Sequence, residues 1–144
     1  MAQSFATHAE RTFVDHGDRR WTYAEIEAAA GRLAHRLKAL GLAPGERLLV
    51  QTDKPVETVT LYIACARAGG IYLPLNTDYT EAELAYFVGD AEPVLAVCRD
   101  ASRDLFARIG GDALKIETTA SLFAALCADS LPPVPPAADD IAAI

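Results

Sequence analysis

Short, mostly apolar runs alternate along the chain with segments of helical periodicity, and this alternation restricts the possible folds. The runs at 48–51, 71–75 and 94–98 are each followed by a helical pattern, and 114–117 is a weaker run of the same kind. A continuous apolar run such as 94–98 is typical of a strand that is buried on both faces of a parallel sheet. Strands that alternate with helices form right-handed βαβ units. The sequence therefore predicts an α/β fold: a mostly parallel sheet with flanking helices.

A small N-terminal β-hairpin is predicted before this series. Thr12–Val14 and Arg20–Thr22 are β-prone and flank His16–Asp18, where Gly and Asp suit a turn. Thr22 then begins a helix, because Glu25 completes a capping box. One face of this helix is predicted to be buried, since its apolar residues recur at helical spacing: Ile26, Ala29, Ala30, Leu33, Ala34, Leu37 and Leu40.

Residues 55–68 predict a helix that is apolar on almost every side. Asp53 is its predicted cap, Pro55 suits its first turn, and only Glu57 and Arg67 are charged. A helix that is apolar all round is normally covered on more than one side. Because a chain of 144 residues has little material for that cover, we expect further protein to pack here.

Three shorter helices complete the pattern, followed by a spacer. Thr80 and Glu83 form a second capping box before a helix to about residue 90, and further helices are predicted at 102–109 and 121–128. The sequence divides into one α/β subdomain at 1–131 and a segment at 132–144. That segment has a proline-rich spacer at Pro132–Pro136 and then Asp139–Ile144, which resembles a strand that is beginning. Because domain termini are usually polar, we expect the chain to be the N-terminal piece of a longer one.

Charge and composition argue against several partners. The net charge is -7, whereas nucleic acids and anionic membranes attract clustered Lys and Arg. No secretory signal or apolar stretch of about 20 residues is present. Cys65, Cys98 and Cys127 lack the spacing of a zinc or redox motif, which predicts buried free thiols in a reducing cytoplasm.

No catalytic set is visible in the residue pattern. The glycines form neither GxGxxG nor GxxxxGK[ST], and no GxSxG surrounds a serine. His8 lies near the N-terminus, His16 in the predicted turn, and His35 opposite the apolar face of its helix, where we expect it to be exposed. None of them belongs to a cluster with metal-ligand spacing.

Two polar loops follow predicted strands: Thr52–Lys54 and Asn76–Tyr79. Ligands of open parallel sheets bind beyond the carboxyl ends of the strands, so these loops could line a small-molecule crevice. Helix capping and turn formation by Asp53, Asn76 and Thr80 explain the same residues. The residue types favour the second interpretation.

Two strings resemble core motifs of adenylate-forming enzymes. Trp21–Ile26 resembles the first motif, of the type L-[TS]-Y-x-E-L, and Ala64–Asn76 resembles the second, of the type L-K-A-G-x-A-Y-[LV]-P-[LI]-[DN]. Asp139–Ile144 is similar to the segment that enters the third motif, the phosphate loop. The chain thus resembles the N-terminal part of AMP-forming acyl-CoA synthetases. The run Tyr72–Thr80, continuing to Pro93, is similar to malonyl-CoA synthetases in particular.

The resemblance implies a two-step reaction and a site that is mostly elsewhere. A carboxylate such as malonate attacks the α-phosphate of ATP with Mg²⁺, and the thiol of CoA then displaces AMP. In the family, the active site lies between subdomains, and the phosphate loop, the nucleotide contacts, the magnesium ligand, the acid pocket and a catalytic lysine lie downstream. The resemblance therefore assigns no catalytic, cofactor-binding or metal residue to 1–144. It makes the remainder of the polypeptide the partner of this subdomain, which is expected to be inactive alone.

Two alternatives stay open. Another adenylate-forming enzyme would carry the same motifs: a fatty or aryl acyl-CoA ligase, or the adenylation domain of a peptide synthetase. A free-standing flavodoxin-like binding module would show the same βα alternation. Neither the motifs nor the alternation identifies the acid.

The buried face predicted for the helix after Thr22 can be tested at its centre. Leu33→Asp should disrupt the packing of this helix, because an unpaired carboxylate in an apolar interior is strongly disfavoured. Thermal melting followed by circular dichroism measures the effect. An unchanged melting temperature would contradict the assignment of this face.

Overall fold

A computed structural model describes residues 2–53, 55–126, 128–133 and 141–144, without the side chains of 2–4 and 55. The helices are α1 Ala2–Thr7, α2 Tyr23–Ala39, α3 Pro55–Ala68, α4 Glu81–Ala91, α5 Arg103–Gly110 and α6 Thr119–Ala124. The strands are β1 Thr12–His16, β2 Arg19–Thr22, β3 Arg47–Gln51, β4 Ile71–Pro74, β5 Leu95–Cys98 and β6 Lys115–Thr118. Short 3-10 turns at 100–102 and 111–113 flank α5.

The larger sheet has four parallel strands in the order β4-β3-β5-β6. β1 and β2 pair separately as an antiparallel hairpin. The predicted α/β fold and hairpin are therefore confirmed, although His16 lies in β1 and only Gly17 and Asp18 remain as the turn. Gly17 has a φ of 62°, a left-handed conformation that glycine adopts easily.

Helices cover both faces of the four-stranded sheet, as the apolar strands predicted. Leu48 and Val50 of β3 belong to a core shared with α2 and α3. Leu49 of the same strand belongs to a second core that contains Leu84 of α4 and Phe106 of α5. Alternate residues of one strand thus enter different cores, as the pleat requires.

Helix α2 begins and ends where the sequence predicts. The hydroxyl of Thr22 accepts a hydrogen bond from the Glu25 amide (3.2 Å), and the Glu25 carboxylate accepts one from the Thr22 amide (2.8 Å). That backbone hydrogen bond holds the pKa of Glu25 below its usual value. Gly41 follows the helix with a φ of 105°. The predicted face is buried except at Ala29 and Leu40, which are half-buried.

Helix α3 is largely covered by this chain itself, and the expectation that further protein packs on it stays a prediction. From 56 to 68, only Ala66 is exposed. The apolar side chains of α3 share a core with α2, with Tyr72 of β4 and with Leu131, which lies beyond α6. The sequence pattern correctly indicated that α3 is covered on several sides. It could not show that the segment after α6 provides part of this cover.

A buried guanidinium joins α2, α3 and the segment after α6. The side chain of Arg67 is 6% exposed and pairs with Glu27 of α2 at 2.7 Å. Its Nη1 donates to the carbonyl oxygen of Leu131 at 3.2 Å, and the Leu131 amide donates to the carbonyl of Gly31 at 3.0 Å. Burial of this charge is tolerated because it is paired and hydrogen-bonded.

Some predicted boundaries differ from those of the structure. The last helix was predicted at 121–128 but occupies Thr119–Ala124, because Thr118 caps it by accepting a hydrogen bond from the Ser121 amide (3.1 Å). Strand β4 ends one residue earlier than predicted, at Pro74. His35 was expected to be exposed, but it is half-buried.

Several predictions fall on positions outside the described residues: Lys54, Cys127, Val134–Pro136, Asp139 and Asp140. Lys54 lies directly before the first residue of α3, Pro55, and is one of these positions. The capping role of Asp53 therefore stays a prediction.

Residues 141–144 run parallel to β4 on its outer edge. The Tyr72 amide donates to the carbonyl of Ala142 (2.9 Å), and the Ile144 amide donates to the carbonyl of Tyr72 (3.2 Å). The described part of the predicted final strand is thus paired with the sheet. Among the described residues, no helix is long and apolar enough to cross a bilayer.

A substitution at Gly31 tests how closely the segment after α6 approaches α2. A methyl group at Gly31 would contact Ser130 Oγ, lie 3.0 Å from Arg67 Nη1 and lie 3.1 Å from the carbonyl oxygen of Leu131. We expect Gly31→Ala to lower the free energy of unfolding by about 1–2 kcal/mol, because overpacking outweighs the gain in helix propensity. Urea denaturation measures the change.

Gly89 of α4 provides the matched control, since nothing lies within 4 Å of a Cβ built there. Gly89→Ala should raise the free energy of unfolding by about 0.5–1 kcal/mol. If both substitutions stabilise the protein equally, the contact at Gly31 is not a tight one.

Candidate functional site at the carboxyl edge of the sheet

Buried polar side chains lie at the carboxyl ends of the parallel strands. Gln51 ends β3 and is 1% exposed, Thr118 ends β6 and is 4% exposed, and Thr119 follows with 6%. Gln51 pairs in register with Cys98, which pairs with Thr118. The ends of three neighbouring strands therefore form one polar edge.

Hydrogen bonds connect this edge to the loops that follow the strands. Gln51 Nε2 donates to the carbonyl oxygen of Asn76 at 3.0 Å. The hydroxyl of Thr119 lies 3.3 Å from both the carbonyl oxygen of Cys98 and the hydroxyl of Thr52. The loops after β3 and β4 are thereby fixed to the strand ends.

Arg99 is the cation of this edge. Its Nη2 donates to the carbonyl of Thr77 at 3.0 Å, and its Nη1 lies 3.5 Å from the carboxylate of Asp53. Its backbone amide donates to the carbonyl of Gln51 at 3.1 Å. The structure thus brings together parts of both predicted loops, around an arginine that sequence reasoning did not select.

Sequence reasoning missed Gln51 and Arg99, although each carries a signal. Gln51 is the polar end of an otherwise apolar run, and Arg99 directly follows the buried run 94–98. Both positions are strand ends, where the rule for open parallel sheets places ligand-binding residues.

Capping and turn formation occupy the second predicted loop, as the residue types favoured. The side-chain oxygen of Asn76 accepts a hydrogen bond from the Asp78 amide at 3.0 Å. Thr80 and Glu83 form the predicted capping box of α4. The hydrogen bonds from Thr80 hold the pKa of the Glu83 carboxylate below its usual value.

Catalytic groups are not assembled at this edge within the described residues. No three His, Cys, Asp or Glu side chains of this part of the chain are grouped to hold a metal ion. His8 follows α1, His16 lies in β1 and His35 lies in α2, so none of these imidazoles is at a strand end of the larger sheet.

The described cysteines are buried and unpaired, as predicted. Burial raises the pKa of the Cys65 thiol to about 12. Burial also raises the pKa of Cys98, at the end of β5, to about 11. Since the thiolate is the nucleophilic form, neither side chain is suited to covalent catalysis.

The protein-family profile described as AMP-binding enzyme matches residues 1–144. The chain therefore belongs to the AMP-binding, adenylate-forming enzymes, the family indicated by its two core motifs. The fold described above matches that of the N-terminal domain of adenylate-forming enzymes.

Individual relatives include a peptide synthetase and an enzyme of known structure. The chain is 33% identical over 144 residues to isonitrile lipopeptide synthase of Mycobacterium tuberculosis, covering 100% of this chain and 6% of that protein. It is 38% identical to ATP-bound MatB from Rhodopseudomonas palustris, with a TM-score of 0.81, covering 99% of this chain and 31% of that one. For apo MatB the identity is 42%, with a TM-score of 0.79, over 87% of this chain and 26% of that one.

The chain spans only a small part of these proteins. It covers at most 10% of each of eight curated relatives, and about a third of MatB. The profile match thus establishes the family for residues 1–144.

The high thiol pKa values predict slow modification of both described cysteines. In a Cys127→Ser variant at about pH 8, Cys65 and Cys98 should remain protonated and react slowly with Ellman's reagent. Guanidinium should make both react at once, because unfolding removes the burial that raises each pKa. Rapid reaction of either thiol in the folded protein would contradict its buried position.

Proposed function

We propose that residues 1–144 are the N-terminal subdomain of an acid–CoA ligase that makes malonyl-CoA or a related acyl-CoA. The observation that carries the proposal is the 38% identity to MatB over 99% of the chain, which is higher than the 33% identity to isonitrile lipopeptide synthase over the whole chain. MatB is a malonyl-CoA synthetase, and the run Tyr72–Thr80 resembles the same enzymes.

The proposed reaction has two steps. A carboxylate oxygen of the acid forms a bond to the α-phosphorus of ATP, and pyrophosphate leaves. The sulfur of CoA then bonds to the acyl carbon of the adenylate, and AMP leaves. Mg²⁺ would neutralise the phosphate charge in the first step, but no described residue of this chain is assigned to hold it.

The role we propose for this subdomain is to support the site, not to perform the chemistry. Its sheet is covered on both faces, and its polar edge is fixed by Gln51 and Arg99. The rest of the polypeptide would complete the site against this edge and supply the groups that bind ATP, the acid and CoA. The unpaired buried thiols fit our proposal of a reducing, cytoplasmic location.

A second candidate is the adenylation domain of a peptide synthetase. It is favoured by the curated relatives, which include linear gramicidin and tyrocidine synthases. Such a domain would share the adenylation step but activate an amino acid and transfer it to a carrier-bound thiol. The acid and the thiol acceptor therefore distinguish the two candidates.

Acid-dependent exchange between ATP and pyrophosphate tests the proposal in the full-length protein. We expect exchange with malonate, formation of malonyl-CoA on addition of CoA, and neither activity in residues 1–144 alone. Mass spectrometry of the CoA product identifies the acyl group.

Two results would decide against this function. Exchange with an amino acid but not with malonate would support the peptide synthetase candidate. Robust exchange by residues 1–144 alone would contradict the supporting role of this subdomain.

A further inference from the structure

We propose that the outward face of helix α4 is an interaction surface for an arginine-bearing helix of a partner protein. This face is formed by exposed residues on one side of the helix: Ala82, Glu83, Ala85, Tyr86, Gly89 and Asp90. The inference goes beyond the proposed function and does not depend on it, because its test needs neither ATP nor an acid.

The outward face of α4 is more apolar than the solvent-facing side of a helix normally is. At the helical period of about 3.6 residues, Ala82, Tyr86 and Gly89 form one stripe, whereas Leu84 and Ala91 are buried on the other side. Nothing lies within 4 Å of a Cβ built at Gly89. Because the residues around the tyrosine are small, the backbone of a second helix can approach α4 closely.

Tyr86 is the aromatic anchor of this surface. It is 65% exposed, more than any other large apolar residue among the described ones. Its ring packs at a steep angle against that of Phe87, with 5.6 Å between the centroids, and Phe87 stacks on Tyr79 at 5.2 Å. The row of rings supports Tyr86 from one side and leaves most of it in solvent. Exposed tyrosines that are held in this way are typical anchors of protein interfaces.

Negative charge surrounds the exposed ring. From residue 68 to residue 98 the sequence has five acidic residues and no lysine or arginine. Glu83 and Asp90 lie one helical turn before and after Tyr86, and neither makes an ion pair with another described residue. Arg108 of the neighbouring helix α5 is paired with Glu81 instead, at 3.4 Å. Both flanking carboxylates are therefore free to pair with a cation from outside.

Arginine is the side chain whose chemistry fits this arrangement. A guanidinium stacks on an aromatic ring through cation–π attraction and pairs with a carboxylate through its planar set of donors. The chain makes the same combination on its hairpin, where the guanidinium of Arg19 lies 3.5 Å from the ring centroid of Trp21 and 3.3 Å from the carboxylate of Glu25. A second copy of this chain is a poorer partner, because each copy carries a net charge of -7.

The test measures binding of a fluorescent helical peptide to the full-length protein by anisotropy. The probe has roughly 15 residues, with arginines at positions i and i+4 and leucines beside them. We expect Tyr86→Ala to weaken binding about tenfold, because it removes the aromatic anchor. Asp90→Asn should weaken it about threefold, because it removes one exposed charge. A probe with lysine in place of arginine should bind more weakly, since an ammonium group lacks the planar donors.

Glu10→Gln is the matched control. It removes an exposed acidic side chain close to α1, and Phe5 of α1 belongs to the core on the opposite face of the sheet from α4. This variant should bind the probe as the wild type does. Thermal melting of each variant confirms that it folds, as expected for substitutions of exposed side chains.

Four results would overturn the proposal. The first is no binding of the arginine probe to the wild-type protein, and the second is equal binding by the wild type and Tyr86→Ala. The third is protection of Tyr86 from hydroxyl-radical oxidation in the full-length protein without a partner, because the rest of the polypeptide would then cover this face. The fourth is self-association in sedimentation experiments that Tyr86→Ala abolishes, which would assign the face to a second copy.

Discussion

The double cover of the four-stranded sheet determines where polar chemistry can lie. β3 and β5 are buried along almost their whole length, between a core shared with α2 and α3 and a core shared with α4 and α5. Polar side chains in the middle of these strands would lose their hydration without partners. They are therefore restricted to the strand ends, and Gln51, Arg99 and Thr119 lie at the carboxyl edge.

The packing of α2 and α3 on one face of this sheet depends on a charged side chain inside the protein. Arg67 projects from α3, pairs with Glu27 of α2 and donates to the carbonyl of Leu131. The approach of Leu131 to α2 is possible because Gly31 has no side chain. One buried cation thus connects three segments: α2, α3 and the segment at Leu131. In our proposal, the rest of the polypeptide packs against the polar edge of this sheet and completes the site.

In our proposal, this subdomain supports the site and does not perform the chemistry. The described thiols are buried and protonated, and the histidines lie on other elements. Membership of the adenylate-forming family rests on a profile match along the whole chain. MatB and isonitrile lipopeptide synthase are similar to the chain along nearly its whole length. In our proposal, the choice of acid is therefore made by residues beyond it.

Local patterns in the sequence predicted α2 to α6, the strands, the capping boxes at Thr22 and Thr80 and the motifs of the family, because each depends on residues a few positions apart. Helix α1 was not predicted. The tertiary structure alone decided that Gln51 and Arg99 meet loop 76–80, and that the segment around Leu131 covers α3. The contacts of Gln51 and Arg99 follow from the strand order β4-β3-β5-β6, in which β3 and β5 are neighbours in space although β4 lies between them in the sequence. No local periodicity carries that information, since it arises only when the strands pair.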